Sequence, residues 1–91
     1  MKIIDEWVII HGNRNNLKGF LYLGYKHKVS KIICAWQEKN AGRKVRNFYR
    51  VQLVGDGIAE LYFYGKESRC FLFRICDTNV DLLEREPTVL Q

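Results

Sequence analysis

Apolar and polar residues alternate along this chain in short runs, and turn-forming residues separate one run from the next. Alternation with a period of two, together with many valine, isoleucine and aromatic residues, is typical of β-strands. The connections contain glycine, asparagine or aspartate, as at Gly55-Asp56-Gly57, which predicts tight reversals between antiparallel strands. Six runs predict six strands, at Trp7–Ile10, Lys18–Leu23, His27–Glu38, Phe48–Val54, Ile58–Tyr64 and Arg69–Asp77.

The third run has two interpretations. Its first half carries polar residues on one face, whereas apolar residues dominate both faces from Ile32 to Trp36. This predicts that the second half of the strand is buried on both sides. A short helix over Ser30–Gln37 is the alternative, and it is less favoured because valine, isoleucine and tryptophan prefer strands.

The last three strands read as a meander with one apolar face. Its opposite face is mixed and contains Tyr62, Tyr64 and Leu72. Six short strands without a long helix predict an all-β fold: a small open antiparallel barrel or bent meander of five to six strands, SH3-like, with an OB-like barrel as the alternative. The predicted apolar face consists of Tyr49, Val51, Leu53, Leu61, Phe63, Phe71, Phe73 and Ile75.

Length and composition indicate a single domain over residues 1–91, with its core at about residues 3–77. Apolar residues make up 47% of the chain, enough to build a core without disulfides or metal. Residues 78–91 are expected to form a tail, with one helical turn over Asp81–Glu86 before Pro87. Cys34, Cys70 and Cys76 lie in apolar runs and are predicted to be reduced core residues.

A cytoplasmic location is expected. The sequence has no apolar run of about 18 residues, so no membrane-spanning helix is predicted. Asp5 and Glu6 lie where a secretory signal would need apolar residues.

The charge is distributed unevenly. Residues 11–50 contain ten lysines and arginines and a single acid, Glu38, whereas residues 51–91 contain four basic and seven acidic residues. A cationic segment of this kind favours contact with a polyanion.

The basic residues of interest are those of the second hairpin and of the loop after the third strand. Bases stack on aromatic rings while cations follow the phosphates, so Tyr25 and Tyr49 are candidate stacking partners. The sequence therefore predicts an accessory module that binds nucleic-acid backbone without sequence specificity. The six cations are Lys26, Lys28, Lys31, Arg43, Lys44 and Arg46.

Two alternatives stay open. The lysines could be solvated residues that discourage edge-to-edge aggregation, a common role of lysine on exposed strands. The chain could also bind a protein partner or a second copy of itself, through an exposed patch around Tyr62 and Tyr64 or through a sheet edge.

No enzyme, cofactor, metal or small-molecule substrate is predicted. The histidines and cysteines lack the close pairing that lets one turn or helix present two metal ligands. His27 and Cys34 are the nearest nucleophile and base, but their odd spacing on one strand puts them on opposite faces. Gly55-Asp56-Gly57 has no following helix to direct amides at a phosphate, so it is a hairpin turn.

Once the strands are placed, the sequence resembles a bacterial family of small β-rich proteins of unknown function. The spacing Phe20-x-Tyr22-x-Gly24-x-x-His27-x-Val29 is similar to that family's Phe-x-Trp-x-Gly-x-x-Tyr-x-Val, and Tyr49-Arg50-Val51 is similar to its Trp-Arg-Val. Arg69-x-Phe71-x-Phe73-Arg74-Ile75-x-Asp77 resembles its closing strand. The chain departs from the pattern at Tyr22 and His27. The resemblance covers about Leu17–Asp77 and implies a similar β fold, and a link to DNA because some members are encoded near translesion DNA polymerase genes.

Overall fold

The computed structural model describes residues 2–39, 42 and 44–76. These residues form six β-strands and no helix. The fold is therefore all-β, as the period-two pattern predicts. The strands are β1 (Lys2–Asn13), β2 (Asn16–Tyr22), β3 (Tyr25–Glu38), β4 (Arg46–Leu53), β5 (Ile58–Tyr64) and β6 (Cys70–Cys76).

Each strand is antiparallel to the next, and β6 pairs with β1 to close a barrel. Two long strands join its two sides. β1 pairs with β6 up to Val8 and with β2 from Ile9, while β3 pairs with β2 up to Lys28 and with β4 from Val29. The predicted small antiparallel barrel of five to six strands is confirmed, but the barrel is closed and not open as predicted, because β6 pairs with β1. The narrower SH3-like or OB-like assignment stays a prediction.

The strand predicted for the third run is confirmed over its helical alternative, whereas the predicted bounds of the first strand are wrong. The helix considered for Ser30–Gln37 does not form, because this segment is part of β3 and is hydrogen-bonded to β4. β1 extends well beyond the predicted Trp7–Ile10, since its polar flanks also pair with neighbouring strands. The predicted C-terminal helical turn and tail lie outside the described residues.

Glycine allows two close features around the β2–β3 hairpin. The turn at Leu23 and Gly24 has positive φ at both residues, 52° and 76°, which matches the two-residue turn favoured between twisted antiparallel strands. At Gly19, an added Cβ would lie 2.6 Å from the carbonyl oxygen of His27. β2 and β3 can therefore approach this closely only with glycine at that position.

The barrel encloses one hydrophobic core. β4 and β5 contribute every second residue to this core, which is the period-two pattern of a half-buried strand. Partly buried Ile4, Ile10, Val29 and Tyr49 pack against it. The core residues are Val8, Leu17, Phe20, Tyr22, Val51, Leu53, Ala59, Leu61, Phe63, Cys70, Leu72 and Ile75.

The predicted apolar face is correct for β4, β5 and Ile75, but it is wrong for Phe71 and Phe73. In β6 the core residues are Cys70, Leu72 and Ile75, so both phenylalanines lie on the outer side of the sheet. The reason is a register irregularity, because Leu61 pairs with Leu72 whereas its neighbour Glu60 pairs with Arg74. Phe73 is the extra residue of this bulge, and strict alternation through β6 is broken there.

Candidate functional site

The structure separates the predicted cationic residues into two groups. Lys26 and Lys28 lie in the first part of β3, and Lys31 follows them along the same strand. Arg46 begins β4 and pairs with Glu38, at the far end of β3. Ten residues separate Lys28 from Glu38, a contour of about 33 Å in an extended strand. The two groups therefore do not form one compact site.

The hairpin lysines are exposed and face outward. His27, between Lys26 and Lys28, points inward and stacks on Phe20 with a centroid distance of 5.1 Å. Because side chains alternate along a strand, both flanking lysines project from the opposite face. Within the described part of the chain, the side-chain ammonium groups of Lys26, Lys28 and Lys31 have no ion pair or hydrogen bond. Their ammonium groups are solvated and accessible.

Apolar and aromatic side chains adjoin these lysines. Ile9, Leu21 and Lys26 are neighbours in register across β1, β2 and β3, and Ile9 is 65% exposed. Tyr25, at the start of β3, is 45% exposed. We define the hairpin face as the exposed residues Ile9, Leu21, Lys26 and Lys28. Tyr25 alternates with Lys26 and pairs with buried Tyr22, so its exposed ring lies at the end of the hairpin on the side of His27.

Two exposed residues near the hairpin face were not singled out from the sequence. Lys18 precedes Gly19, the register partner of Lys28, so it adds a cation beside the hairpin. Trp7 is 64% exposed two residues before Ile9, and the guanidinium of Arg69 lies 5.7 Å from its ring centroid. Both residues belong to this surface because their strands lie next to the hairpin. The order of the residues alone does not show this, since it depends on the register in which the strands pair.

Arg46 is engaged within the protein instead of being free for a ligand. Its guanidinium lies 5.1 Å from the ring centroids of Phe48 and Tyr62 and 5.9 Å from that of Phe73. Its Nη2 also donates a hydrogen bond of 2.8 Å to Oε1 of Glu38. Arg46 thus stabilises the outer side of the sheet by cation–π contacts and an ion pair.

Lys44 is likewise paired, and Arg43 lies outside the described residues. Lys44 Nζ donates a 2.6 Å hydrogen bond to Oε2 of Glu67, whose other oxygen accepts from Arg69. The hydrogen bond from Lys44, and then that from Arg69, lowers the pKa of the Glu67 carboxyl. The two described cations of the predicted loop group, Lys44 and Arg46, therefore have carboxylate partners.

The outer side of the sheet carries a row of aromatic rings that follows the strand register. Trp36, Phe48, Tyr62, Phe71 and Trp7 are successive register partners across β3, β4, β5, β6 and β1. The first four rings have neighbouring centroids 5.1, 5.0 and 5.1 Å apart. We call these five residues the outer aromatic row.

The centre of the outer aromatic row is buried although it lies outside the barrel. Phe48 and Tyr62 are 0% and 1% exposed. The Tyr62 hydroxyl donates a hydrogen bond to Oδ1 of Asp5. Burial, followed by this bond, raises the pKa of Tyr62 well above its usual range. The expected exposed patch around Tyr62 and Tyr64 is therefore wrong, since Tyr62 is covered and Tyr64 is half-buried.

Tyr49 is not a free stacking surface. Its ring is half-buried on the inner side of β4 and meets Phe63 edge to face, with centroids 6.0 Å apart. Of the two tyrosines predicted to stack on bases, only Tyr25 presents an exposed ring.

A buried carboxylate links two arginines beside the outer aromatic row. Glu60 is 1% exposed, and its two oxygens accept hydrogen bonds from Nε of Arg50 at 2.8 Å and Nε of Arg74 at 2.9 Å. The Glu60 carboxylate raises the pKa of Arg50. Two half-exposed guanidinium groups thus share one counter-charge, which keeps them in place on the sheet.

The described residues contain no group of side chains arranged to hold a metal ion. No three histidine, cysteine or acidic residues among them are grouped to hold an ion. A depression of about 240 Å³ between β3 and β4 has Gln37 and Asn47 as its polar lining, and these bond to each other at 2.7 Å. Residues 2–39, 42 and 44–76 contain no helix long and apolar enough to cross a bilayer.

The cysteines are free, but two of them are not core residues. Cys34 and Cys76 are exposed, and only Cys70 is buried. Burial raises the pKa of the Cys70 thiol to about 12. Cys34 is exposed because the part of β3 that carries it lies beyond the strand's pairing with β2.

Comparisons of the chain with protein-family models, with curated proteins and with solved structures find no match. The family resemblance of the hairpin and closing strand stays a prediction.

Proposed function

We propose that this chain is a non-enzymatic module that binds nucleic-acid backbone without sequence specificity, through the hairpin face. The observation that carries the proposal is the set of exposed lysines on β3, Lys26, Lys28 and Lys31, which have no carboxylate partner among the described residues. Because these lysines have no ion pair to break, each can contact a phosphate directly. The contact releases counterions that are condensed on the nucleic acid, and this release favours binding.

The geometry of a strand supports backbone contact. Lys26 and Lys28 project from one face of β3 about 6.6 Å apart along the strand. The register irregularity between Val29 and Lys31 returns Lys31 to this face, where it pairs with Gln52. A linear series of cations follows an extended chain of phosphates, whereas it offers no paired donors and acceptors to read base edges. Binding is therefore expected to be electrostatic and tolerant of sequence.

Exposed rings favour a single-stranded ligand. Tyr25 and Trp7 are 45% and 64% exposed, and neither ring is covered by the barrel. Stacking of an unpaired base on such a ring contributes about 1–3 kcal/mol per base. Bases in a duplex are already stacked, so this contribution is absent for double-stranded DNA.

A protein-interaction module is the second candidate, and a group of exposed apolar side chains on β1 and β2 supports it. Trp7, Ile9 and Leu21 are 64%, 65% and 37% exposed, and Ile9 and Leu21 are register partners. Adjacent exposed apolar side chains are typical of protein interfaces.

Fluorescence anisotropy with a labelled single-stranded oligonucleotide tests the leading proposal. We expect binding at low salt and a slope of log affinity against log salt of about −2, since each contacted phosphate contributes about 0.7 for single strands. A duplex of the same sequence should bind more weakly. Absence of binding at low salt, or affinity that does not change with salt, would contradict the proposal.

A further inference from the structure

β3 has a free edge over its second part. From Val29 to Glu38 its backbone pairs with β4, and no strand among the described residues occupies its other side. This edge is about 33 Å long in an extended strand. It presents unpaired N–H and C=O groups, which form a template for another strand.

The middle of the free edge, from Ile32 to Gln37, is uncharged and largely apolar. Between Lys31 and Glu38, six consecutive residues, 32–37, carry no charge. Ile32 is 50% exposed and Ile33 is 44% exposed, and the next two residues are also exposed. The sequence predicts that this segment is buried on both sides, yet the barrel leaves it uncovered.

Natural proteins protect long edges with charges, prolines or bulges. Here the register against β4 is irregular between Val29 and Lys31 and between Ile32 and Cys34. The strand is regular from Cys34 to Glu38, and none of these residues except the last is charged. Protection of the edge is therefore incomplete.

We propose that this edge of β3 pairs antiparallel with the same edge of a second copy of the chain. The five-stranded arrangement β3–β4–β5–β6–β1 of each copy would then continue into that of the other. Such an isologous contact uses the free edge of both copies and closes after two chains. It covers Ile32 and Ile33 as well as the unpaired backbone.

The charges at the two ends of the segment favour a second copy in the antiparallel direction. Lys31 precedes the uncharged run and Glu38 follows it, so antiparallel pairing centred between Cys34 and Ala35 sets each lysine opposite the glutamate of the other copy. Glu38 already pairs with Arg46, but its side chain is 42% exposed and can accept a further hydrogen bond. The two Lys31 side chains then lie about 20 Å apart, beyond the Debye length of about 8 Å. Parallel pairing in register would place Lys31 beside Lys31.

The inference shares only Lys31 with the proposed nucleic-acid contact. Lys26 and Lys28 lie in the part of β3 that pairs with β2, before the free edge begins. They stay exposed whether or not two copies associate, so either proposal can fail without the other.

Sedimentation equilibrium of the full chain over a range of concentrations tests the inference. We expect a monomer–dimer equilibrium in the wild type. The dimer dissociation constant should be at least tenfold larger in Ile33→Lys, because this change puts a charge on the free edge. Ile9→Lys is the matched control, because Ile9 is also an exposed isoleucine on a strand but lies on β1, away from the free edge of β3. Circular dichroism checks that both variants are folded.

A disulfide cross-link gives a second, independent readout. Pairing centred between Cys34 and Ala35 sets Cys34 of one copy directly opposite Ala35 of the other. Mild oxidation of Ala35→Cys should therefore yield a covalent dimer that is lost when Cys34→Ser is added and kept when Cys76→Ser is added. A wild type that stays monomeric at every concentration overturns the inference. A dimer that Ile33→Lys weakens no more than Ile9→Lys overturns it as well.

Discussion

At the scale of single residues, arginine and lysine have different roles on this surface. Every arginine among the described residues has a hydrogen bond or ion pair within the chain, and most also lie over an aromatic ring. Among the lysines whose side chains are described, only Lys44 has such a partner. The planar guanidinium group suits fixed, partly buried contacts, whereas the ammonium group is strongly hydrated. The count of positive charges therefore overstates the cations that are free to meet a ligand.

Tyr62 gives the protein a stability that depends on alkaline pH. Its pKa in the folded chain lies above the ordinary value of 10.0 because burial and the Asp5 bond favour the neutral phenol. A raised folded pKa contributes stability that is complete below the unfolded pKa and is lost as pH rises towards the folded pKa.

We predict that Tyr62→Phe flattens the alkaline loss of stability. The wild-type free energy of unfolding should fall more steeply above about pH 10, by up to about 1.4 kcal/mol per pH unit for this one proton. Urea unfolding at a series of alkaline pH values measures the difference. Tyr25→Phe, a change at an exposed phenol, should keep the wild-type slope. Equal slopes for Tyr62→Phe and the wild type would show that the buried phenol does not carry the effect.

At the scale of the elements, the sheet has packed side chains on both faces. The inner face lines the barrel core, and the outer face carries the outer aromatic row with Arg46 over its centre. The bulge places the ring of Phe73 beside the outer aromatic row. Phe73 meets Phe48 edge to face, with ring centroids 5.3 Å apart, and we call the row together with Phe73 the outer cluster. Antiparallel sheets usually leave one face to solvent, and here arginine and aromatic side chains close that face.

We predict that the outer cluster stabilises the fold as much as the barrel core does. Phe48→Ala should reduce the free energy of unfolding by about 3–5 kcal/mol, the range for removing a buried phenylalanine. Trp7→Ala, at the exposed end of the same row, should cost about 1 kcal/mol or less. Urea denaturation of both variants measures this. A cost for Phe48→Ala close to that for Trp7→Ala would mean that the outer rings contribute little.

The sequence predicts most of the element scale and less of the residue scale. Period-two alternation locates all six strands, because local steric preference and half-burial act through neighbouring residues. The bulge in β6 is not visible in the alternation, since Phe71 and Phe73 fit the regular pattern of a buried face equally well. The exposure of Ile32 and Ile33 also escapes prediction, because it depends on where β2 stops pairing with β3.

At the scale of the whole molecule, function is divided along β3. Its first part carries the hairpin lysines next to Tyr25, and its second part carries the uncharged free edge. The predicted site is retained only in part, because Lys26, Lys28 and Lys31 are accessible while Arg46 and Lys44 are paired with Glu38 and Glu67. Whether a cation is accessible depends on carboxylates that are distant in sequence. The number of charges in the segment therefore could not predict which cations are free.

The most direct test of the account compares two double variants with the same change in net charge. Lys26→Glu with Lys28→Glu removes the hairpin cations, and Lys39→Glu with Lys66→Glu changes exposed lysines elsewhere. Anisotropy titrations with a single-stranded oligonucleotide at several salt concentrations give affinity and salt slope for each. We predict that the hairpin variant loses most of its affinity and that its slope falls by about 0.7 for each lysine removed, while the control stays close to the wild type. Equal weakening of both variants, or none in the hairpin variant, would contradict the account.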